Sequence, residues 1–451
     1  MNIHNKAVHI ENCLIIGLGK TGLSCARFLL AQGMDVVVMD TRENPPCLPE
    51  LQQSSPQVVV KTGRLDQSWL LRADKVLLSP GIDPRLPEIV TAKQSGVEVI
   101  GDIELFARHV NAPVIAVTGS NGKSTVTTLI AEMASQSGKN VLTGGNLGTP
   151  ALDLLNETPP DFYILELSSF QLETVNSLNA FASVVLNLSA DHLDRYDSIE
   201  DYQQAKARIY NGNGVMVINR DDAAVQQMVQ SGRNVIGFSL QQTSGVDFGL
   251  IEQGEKLWLA EGQTPLMPVK ELAMTGRHNI ANALGALALG SAMALPIDVM
   301  LQCLRSFRGL PHRCRLVRIR HDVRWFNDSK ATNVGACIAA IKGLAEDKNV
   351  VLIAGGMAKD QDFNQLSEVF GQSLRGLVLL GIDAPKIAAV TSKSIPIQKA
   401  INMQDAVEKA AALACTGDVV LLSPACSSFD MFKGYEDRGR QFEQAVMGLT
   451  L

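Results

Sequence analysis

At 451 residues the chain exceeds one ordinary hydrophobic core, so two to four domains are expected. Apolar residues make up 46% and charged residues 19%, which excludes a disordered chain and supplies ample material to bury. A net charge of −6 argues against a non-specific nucleic-acid binder, which would carry a basic balance, and still allows a local basic pocket.

His4, Lys6, His9 and Glu11 interrupt the N-terminal stretch, so no secretory signal is read there. The longest apolar-looking run, Ala283 to Leu295, is rich in Ala and Gly and too short to span a bilayer, which predicts a buried helix and no membrane partner. The eight cysteines show no Cys-x-x-Cys spacing. Reduced thiols in a cytoplasmic protein are expected, without disulfides or a zinc site.

The first strand is read at Cys13–Ile16, followed by the loop Gly17-Leu-Gly-Lys-Thr-Gly22 and a helical stretch to Gln32. Strands follow at Val36–Met39, ending in Asp40-Thr-Arg42, at Val58–Val60, and at Lys75–Leu78, which closes on Ser79-Pro-Gly81. Strands alternating with helices predict a parallel α/β sheet, with a boundary near residue 101. The central segment opens on the apolar run Pro113–Val117, then Thr118-Gly-Ser-Asn-Gly-Lys-Ser-Thr125, then a helical pattern at Val126, Leu129, Ile130 and Met133. Strands are expected at Tyr163–Leu165, Ser183–Leu188 and Val215–Ile218, a β-rich stretch over 234–268, and a small-residue helix over Gly276–Ala294. Gly309-Leu-Pro-His-Arg313 reads as a hinge. Beyond it, a strand at Val323–Phe326, a helix from Asn333 with 3.6-residue periodicity, and strands at Val350–Ala354, Gly376–Leu380 and Asp418–Leu422 again indicate α/β. The expectation is three α/β domains over 1–101, 102–309 and 310–451: Rossmann-like, P-loop ATP-binding, and Rossmann-like.

The 118–125 loop carries the most information. Backbone N–H groups of Gly119, Ser120, Asn121 and Gly122, with the helix N-terminus at Lys123–Thr125, form a cradle for phosphates. Lys123 can reach the β/γ oxygens, and the Ser124 hydroxyl can bind Mg²⁺. The strict P-loop pattern wants glycine at position 117, where this chain has valine; the Gly-Lys-Ser end holds. Gly17-x-Gly-x-x-Gly22 with Asp40 also fits a dinucleotide fingerprint, and so an NAD-dependent oxidoreductase, although such an enzyme has no need of a second phosphate loop. Glu166 and the 191–194 cluster follow apolar strands and are expected at the same sheet edge as the phosphate loop, where a carboxylate makes a hard-cation ligand. His192 draws its case from those neighbours, and helical periodicity alone would not single out Lys206. Lys330 and Thr332 at a helix start, with Gly355–Asp360 and Ser423–Ser428 after strands, suggest a pocket for a small anion. Cys426 has no base beside it in sequence and is not read as a nucleophile.

Together, Thr118–Thr125, Gly144-Gly-Asn146, Glu166-Leu-Ser-Ser-Phe-Gln-Leu, Asp191-His-Leu-Asp-Arg195, Gly276-Arg-His-Asn279, Pro311-His-Arg313, Asp328-Ser-Lys-Ala-Thr-Asn333 and Gly355-Gly resemble the Mur ligases, ATP-dependent amide-forming enzymes of peptidoglycan synthesis. The resemblance runs from about residue 10 to 445. It implies ATP as co-substrate, two Mg²⁺ ions, and UDP-N-acetylmuramoyl-L-alanine and D-glutamate as small-molecule partners of a cytoplasmic monomer. Thr21, Thr41, Arg42, Ser79 and Gly81 would then touch the uridine diphosphate, and Asn146 the bound substrate. Lys123 and Ser124 would hold phosphates and magnesium, Asn279 and Asp328 the adenosine, Arg313 the phosphates, and Glu166 and His192 the metal. Lys206 would be a CO₂-derived carbamate and metal ligand. Lys330, Thr332, Lys359 and Ser428 would clamp the amino acid, with Tyr435 where phenylalanine is more usual; Lys20 stands where an apolar residue is. Closure of three domains on their substrates predicts hinges near residues 101 and 309. A nucleotide-sensing protein on the same frame, or a relative adding a different amino acid such as folylpolyglutamate synthetase, are the other readings.

Overall fold

The computed structural model describes residues 12–146, 148–189, 195–241, 247–358 and 361–449. Three sheets form in chain order. The first comprises β1 (Asn12–Ile16), β2 (Asp35–Asp40), β3 (Val59–Thr62), β4 (Lys75–Leu78) and β5 (Glu98–Gly101), ordered β3-β2-β1-β4-β5. All its pairings are parallel. Its two central strands bury nearly every residue, as expected when helices cover both faces.

The second sheet comprises β6 (Val114–Thr118), β7 (Val141–Gly145), β8 (Phe162–Glu166), β9 (Ala182–Val185), β10 (Val215–Asn219), β11 (Val235–Phe238), β12 (Phe248–Gln253), β13 (Lys256–Glu261) and β14 (Thr264–Pro268). The order is β14-β13-β12-β11-β10-β9-β6-β8-β7. Pairing is parallel from β7 to β12 and antiparallel over the last three strands, so the stretch read as β-rich extends the parallel sheet with a meander. The expected strand 183–188 stops at Val185. Beyond it Asn187 turns to the phosphate loop, its carbonyl accepting from Ser120 N at 2.9 Å. The small-residue helix is Arg277–Ala292, buried along most of its length and packed on the helix Lys123–Gln136.

The third sheet comprises β15 (Arg315–Arg320), β16 (Val323–Asn327), β17 (Val350–Gly355), β18 (Leu374–Leu380), β19 (Ile397–Lys399) and β20 (Val419–Leu422), ordered β15-β16-β20-β17-β18-β19. Only β15 runs antiparallel to its neighbour. The expected helix at Asn333 is Val334–Leu344, with the Asn333 side chain capping Ala336 N at 2.7 Å.

The junctions between the sheets differ. One apolar cluster runs without a break from the first sheet and its helix (Ile15, Leu23, Leu29) through Ile103 and Phe106 into the second (Leu152, Tyr163, Leu165). Phe106 meets Tyr163 edge-on at 5.4 Å. Buried polar contacts add to it: Ser24 Oγ donates to Asp153 Oδ1 at 2.6 Å, and Asn176 N and Ser177 N donate to Glu104 Oε2 at 2.7 and 2.9 Å. The hinge expected near residue 101 is therefore a packed interface. Near 309 the chain does turn sharply, with positive φ at Gly309, His312 and Cys314, and an open cavity separates the second and third sheets. No helix among the described residues is long and apolar enough to cross a membrane. All eight cysteines are free thiols.

Candidate active site

The phosphate loop leaves β6 at Thr118 and enters the helix Lys123–Gln136. Gly119 (φ +149°) and Gly122 (φ +84°) adopt conformations L side chains avoid. A Cβ on Gly122 would stand 2.4 Å from Asn282 Oδ1. Gly122 offers no side-chain cap to the helix N-terminus, the end of a helix that favours an anion. Asn187, in the cavity wall, occupies two of the N–H groups expected to cradle phosphate: Ser120 N donates to its carbonyl and Asn121 N to its Oδ1 at 2.8 Å, while its Nδ2 donates to Asn121 O at 3.0 Å. Lys123 Nζ lies folded on the loop, donating to Gly119 O at 2.8 Å and Ser120 O at 2.9 Å.

Lys206 reaches the back of this loop. It is 1% exposed, donates to Thr118 Oγ1 at 3.3 Å and Gly119 O at 3.0 Å, and packs over the Tyr202 ring. The Tyr202 hydroxyl contacts Ser120 Oγ at 2.9 Å. Glu166, at the end of β8, is buried; its Oε1 accepts from Asn146 Nδ2 at 2.6 Å, and its buried Oε2 has no partner among the described residues.

The third domain faces this loop across a cavity of about 520 Å³, whose wall includes Ser120, Asn121, Gly122, Lys123, Thr125, Asn146, Glu166, Asn279, Arg313, Asp328, Lys330 and Thr332. Arg313 Nη2 donates to Ser124 Oγ at 2.6 Å, joining the two domains. Burial lowers the Arg313 pKa, while Glu166 and Asp328 oppose that. Asp328 accepts from Cys314 N (3.0 Å) and Ser423 Oγ (2.8 Å). Burial pushes its carboxyl up to about 7. Lys330 is pushed down to about 8, by burial first and Arg313 second; its Nζ donates to the Tyr435 hydroxyl at 3.2 Å and sits over the Tyr435 ring. Cations, a helix N-terminus and a carboxylate oxygen without a partner among the described residues thus converge on one cavity.

A second cavity, of about 530 Å³, opens at the carboxyl ends of the first sheet. Thr21, Thr41, Arg42, Ser79, Gly81 and Asn146 all line it. Asp40, the acid of the dinucleotide fingerprint, is buried and occupied: its oxygens accept from Leu18 N (2.7 Å), Arg42 N (2.9 Å) and the Arg42 guanidinium. Burial would raise its pKa, but the bonds from Arg42 and Leu18 outweigh burial and hold it below the usual range. It braces the loop and has no lone pair left for a cofactor ribose, which removes the main support for the oxidoreductase reading. Lys20 lines the same cavity and is exposed. Asn146 lines both cavities.

Gly119 and Ser124 belong to the loop without lining the cavity, and Ser428 is buried outside its wall. His192 and Lys359 lie outside the described residues. Asn187, Asn282 and Arg438 were not anticipated. Arg438 is 1% exposed and binds Ser329 O at 2.7 Å, Ser329 Oγ at 3.0 Å and Cys426 O at 3.1 Å, which fixes the turn before Lys330. Burial pushes the Cys426 thiol up to about 12, in keeping with an inert side chain.

The chain matches three family descriptions in order: Mur ligase MurD-like, N-terminal domain, over residues 11–101; Mur ligase middle domain over 117–290; and Mur ligase, glutamate ligase domain, over 312–426. It is 51% identical over 433 residues to the UDP-N-acetylmuramoylalanine--D-glutamate ligase of Nitrosococcus oceani, covering 96% of each chain. It is 50% identical over 439 residues to that of Pseudomonas aeruginosa, covering 97% and 98%. Among solved structures, MurF ligase from Thermotoga maritima in complex with ADP superposes with a TM-score of 0.61 at 18% identity over 98% of this chain and 96% of that one. UDP-N-acetylmuramate-alanine ligase MurC from the same organism gives 0.60 at 18% over 97% and 99%. These structural likenesses speak to the fold alone.

Proposed function

The chain belongs to the Mur ligase family, and on that premise we infer how its two cavities share one reaction. It is an ATP-dependent amide-forming ligase that joins D-glutamate to UDP-N-acetylmuramoyl-L-alanine in peptidoglycan synthesis. A carboxylate is a poor electrophile. Its oxygen attacks the γ-phosphorus of ATP, the bond to the β-phosphate oxygen breaks, and ADP leaves an acyl phosphate. The D-glutamate amine adds to that carbonyl through a tetrahedral intermediate, loses a proton, and inorganic phosphate departs.

The observation that carries this reading is Asn146, the wall residue common to both cavities. A sugar nucleotide in the first cavity would thread its terminal carboxylate past Asn146 to the triphosphate in the other. On this reading Thr21, Thr41, Arg42, Ser79 and Gly81 hold the uridine diphosphate. Gly119–Thr125 and Arg313 hold the ATP phosphates, with Asn279 and Asp328 at the adenosine. Lys330, Thr332, Ser428 and Tyr435, with Lys359, receive D-glutamate. Lys123 and Arg313 neutralise charge on the transferring phosphoryl group. The residues present suit magnesium: the buried Oε2 of Glu166, without a partner among the described residues, is a hard anionic ligand, and the Ser124 hydroxyl at the phosphate loop is a further oxygen donor. When bound, Mg²⁺ polarises the phosphoryl oxygens. A second ion would draw on His192 and on Lys206, whose Nζ, having lost its proton, adds to CO₂ to give a carbamate anion. Lys206 Nζ lies against the loop that this metal would serve. The enzyme acts on small molecules as a cytoplasmic monomer, with its domains divided near 101 and 309.

The test is phosphate release from ATP with UDP-N-acetylmuramoyl-L-alanine and each of D-Glu, L-Glu, L-Ala and diaminopimelate. Release with D-Glu alone is expected; release with another amino acid in its place would reassign the substrate, and no release would end the proposal.

A further inference from the structure

Arg195 lies outside both cavity walls yet joins the lip of one to the floor of the other. The sugar-nucleotide cavity is rimmed by the turn Ser79–Ile82. Arg195 grips this turn once directly, at Ile82, and once through Arg85, which follows it. Its Nη2 donates to Ile82 O at 3.0 Å, and its own carbonyl accepts from the Arg85 guanidinium. Arg85 is itself held by Asp83 at 2.9 Å.

On its other side Arg195 Nη2 donates to Glu173 Oε2 at 2.6 Å, and its guanidinium stacks on Phe170 at 4.5 Å. The ion pair is largely buried, at 9% and 13% side-chain exposure, where losing one partner strands the other. Glu173 closes a short segment that begins at Glu166, in the wall of the triphosphate cavity. A capping box between Ser168 and Gln171 stiffens that segment, and Gln171 lines the sugar-nucleotide cavity.

We propose that Arg195 is a positioning residue that energetically couples the two cavities, so that sugar nucleotide gripping the Ser79–Ile82 turn strengthens binding of metal-ATP beside Glu166. The inference rests on the assignment of ligands to the two cavities given above. Its physical basis is a shared brace: the first ligand orders the turn, Arg195 and the Glu166–Glu173 segment, so the second binds to a site already ordered. Coupling is reciprocal by thermodynamic necessity.

The experiment is calorimetric titration of the full chain with Mg²⁺ and a non-hydrolysable ATP analogue, with and without saturating UDP-N-acetylmuramoyl-L-alanine and without D-glutamate. The wild type should bind the analogue at least about fivefold more tightly when the sugar nucleotide is present. Arg195→Ala should bind each ligand alone within about threefold of wild type, with the tightening reduced toward none. Arg195→Lys, which keeps the charge but loses the planar fork, should fall between the two. Arg85→Ala, which removes the second grip on the turn, serves if Arg195→Ala does not fold, and should lose part of the tightening. Absence of tightening in the wild type, or full tightening in Arg195→Ala, overturns the proposal. A separate titration with the sugar nucleotide alone reads its own binding, and failure to bind there would instead contradict the ligand assignment.

Discussion

The junction of the first and second domains and that of the second and third are built from opposite materials. At the first, one apolar cluster crosses the boundary and Phe106 packs on Tyr163; buried carboxylates at Asp102 and Glu104 are met by Gln171, Asn176 and Ser177. At the second, charged side chains (Lys123, Glu166, Arg313, Asp328 and Lys330) face one another among apolar ones such as Leu186, Phe238 and Ala336, the space between the walls holds about 520 Å³, and Arg313 reaches across to Ser124. An apolar junction is stable dry, whereas facing polar walls are satisfied only when a ligand or water lies between them. On the proposed assignment of ligands, a preformed cavity is expected at the first junction and one completed by closure at the second.

The sharpest contrast comes from paired truncations. Lys330→Ala, on the open side, should lower turnover by roughly 10²–10³-fold with an unchanged melting temperature, since its charge serves the reaction more than the fold. Steady-state kinetics with thermal unfolding decides this, and near-normal turnover would remove Lys330 from the site. Phe106→Ala, at the closed junction, should behave in reverse, costing about 3–5 kcal/mol of stability in denaturant titrations. A cost under about 1 kcal/mol would mean that the two domains are not packed as one body.

The closed junction should also respond to pH through Asp102. Burial pushes its carboxyl up to about 6, above the unfolded value of about 4. Between those values the folded chain holds more protons than the unfolded one, so this contribution to stability declines as pH rises from about 4 to 6. Asp102→Asn should flatten the decline; an unchanged profile would place the titration elsewhere. The smallest effect is expected from Tyr435→Phe, which deletes the hydroxyl 3.2 Å from Lys330 Nζ and keeps the ring beneath it. One neutral partner is worth about 1 kcal/mol, so the KM for D-glutamate should rise about fivefold, and a KM that does not move would leave the hydroxyl without a role.

How much of this was legible in sequence follows the same physical division. The buried parallel strands declare themselves as apolar runs. The strands at β5, β7, β15 and β19 went unread, and each is the edge of its sheet, where half-exposed residues such as Ile397, Gln398 and Lys399 carry no apolar signal. Local chemistry drew attention to the 118–125 loop and the helix start at Lys330, which line one cavity, while the rim at Thr41, Arg42 and Ser79 entered through resemblance to a family. Glu166 was read from its place at a strand end beside the phosphate loop, whereas Lys206 entered through resemblance to a family, because a lysine on a helix has no distinctive spacing. Asn187, Arg438 and Arg195 were missed because their partners stand far away in the chain. Asn187 braces a loop 66 residues before it, and Arg438 fixes a turn 109 residues before it. The continuous core across residue 101 went unread for a related reason, as continuity of a core across two domains depends on which faces meet.

The most direct test is a pair of inter-domain distances measured by spin labels in the full chain, one between domains one and two and one between domains two and three. On adding UDP-N-acetylmuramoyl-L-alanine with Mg²⁺ and a non-hydrolysable ATP analogue, the second distance should shorten and narrow while the first stays fixed. A first distance that shifts as far as the second, or a second that does not respond, would contradict the division into a preformed cavity and one made by closure.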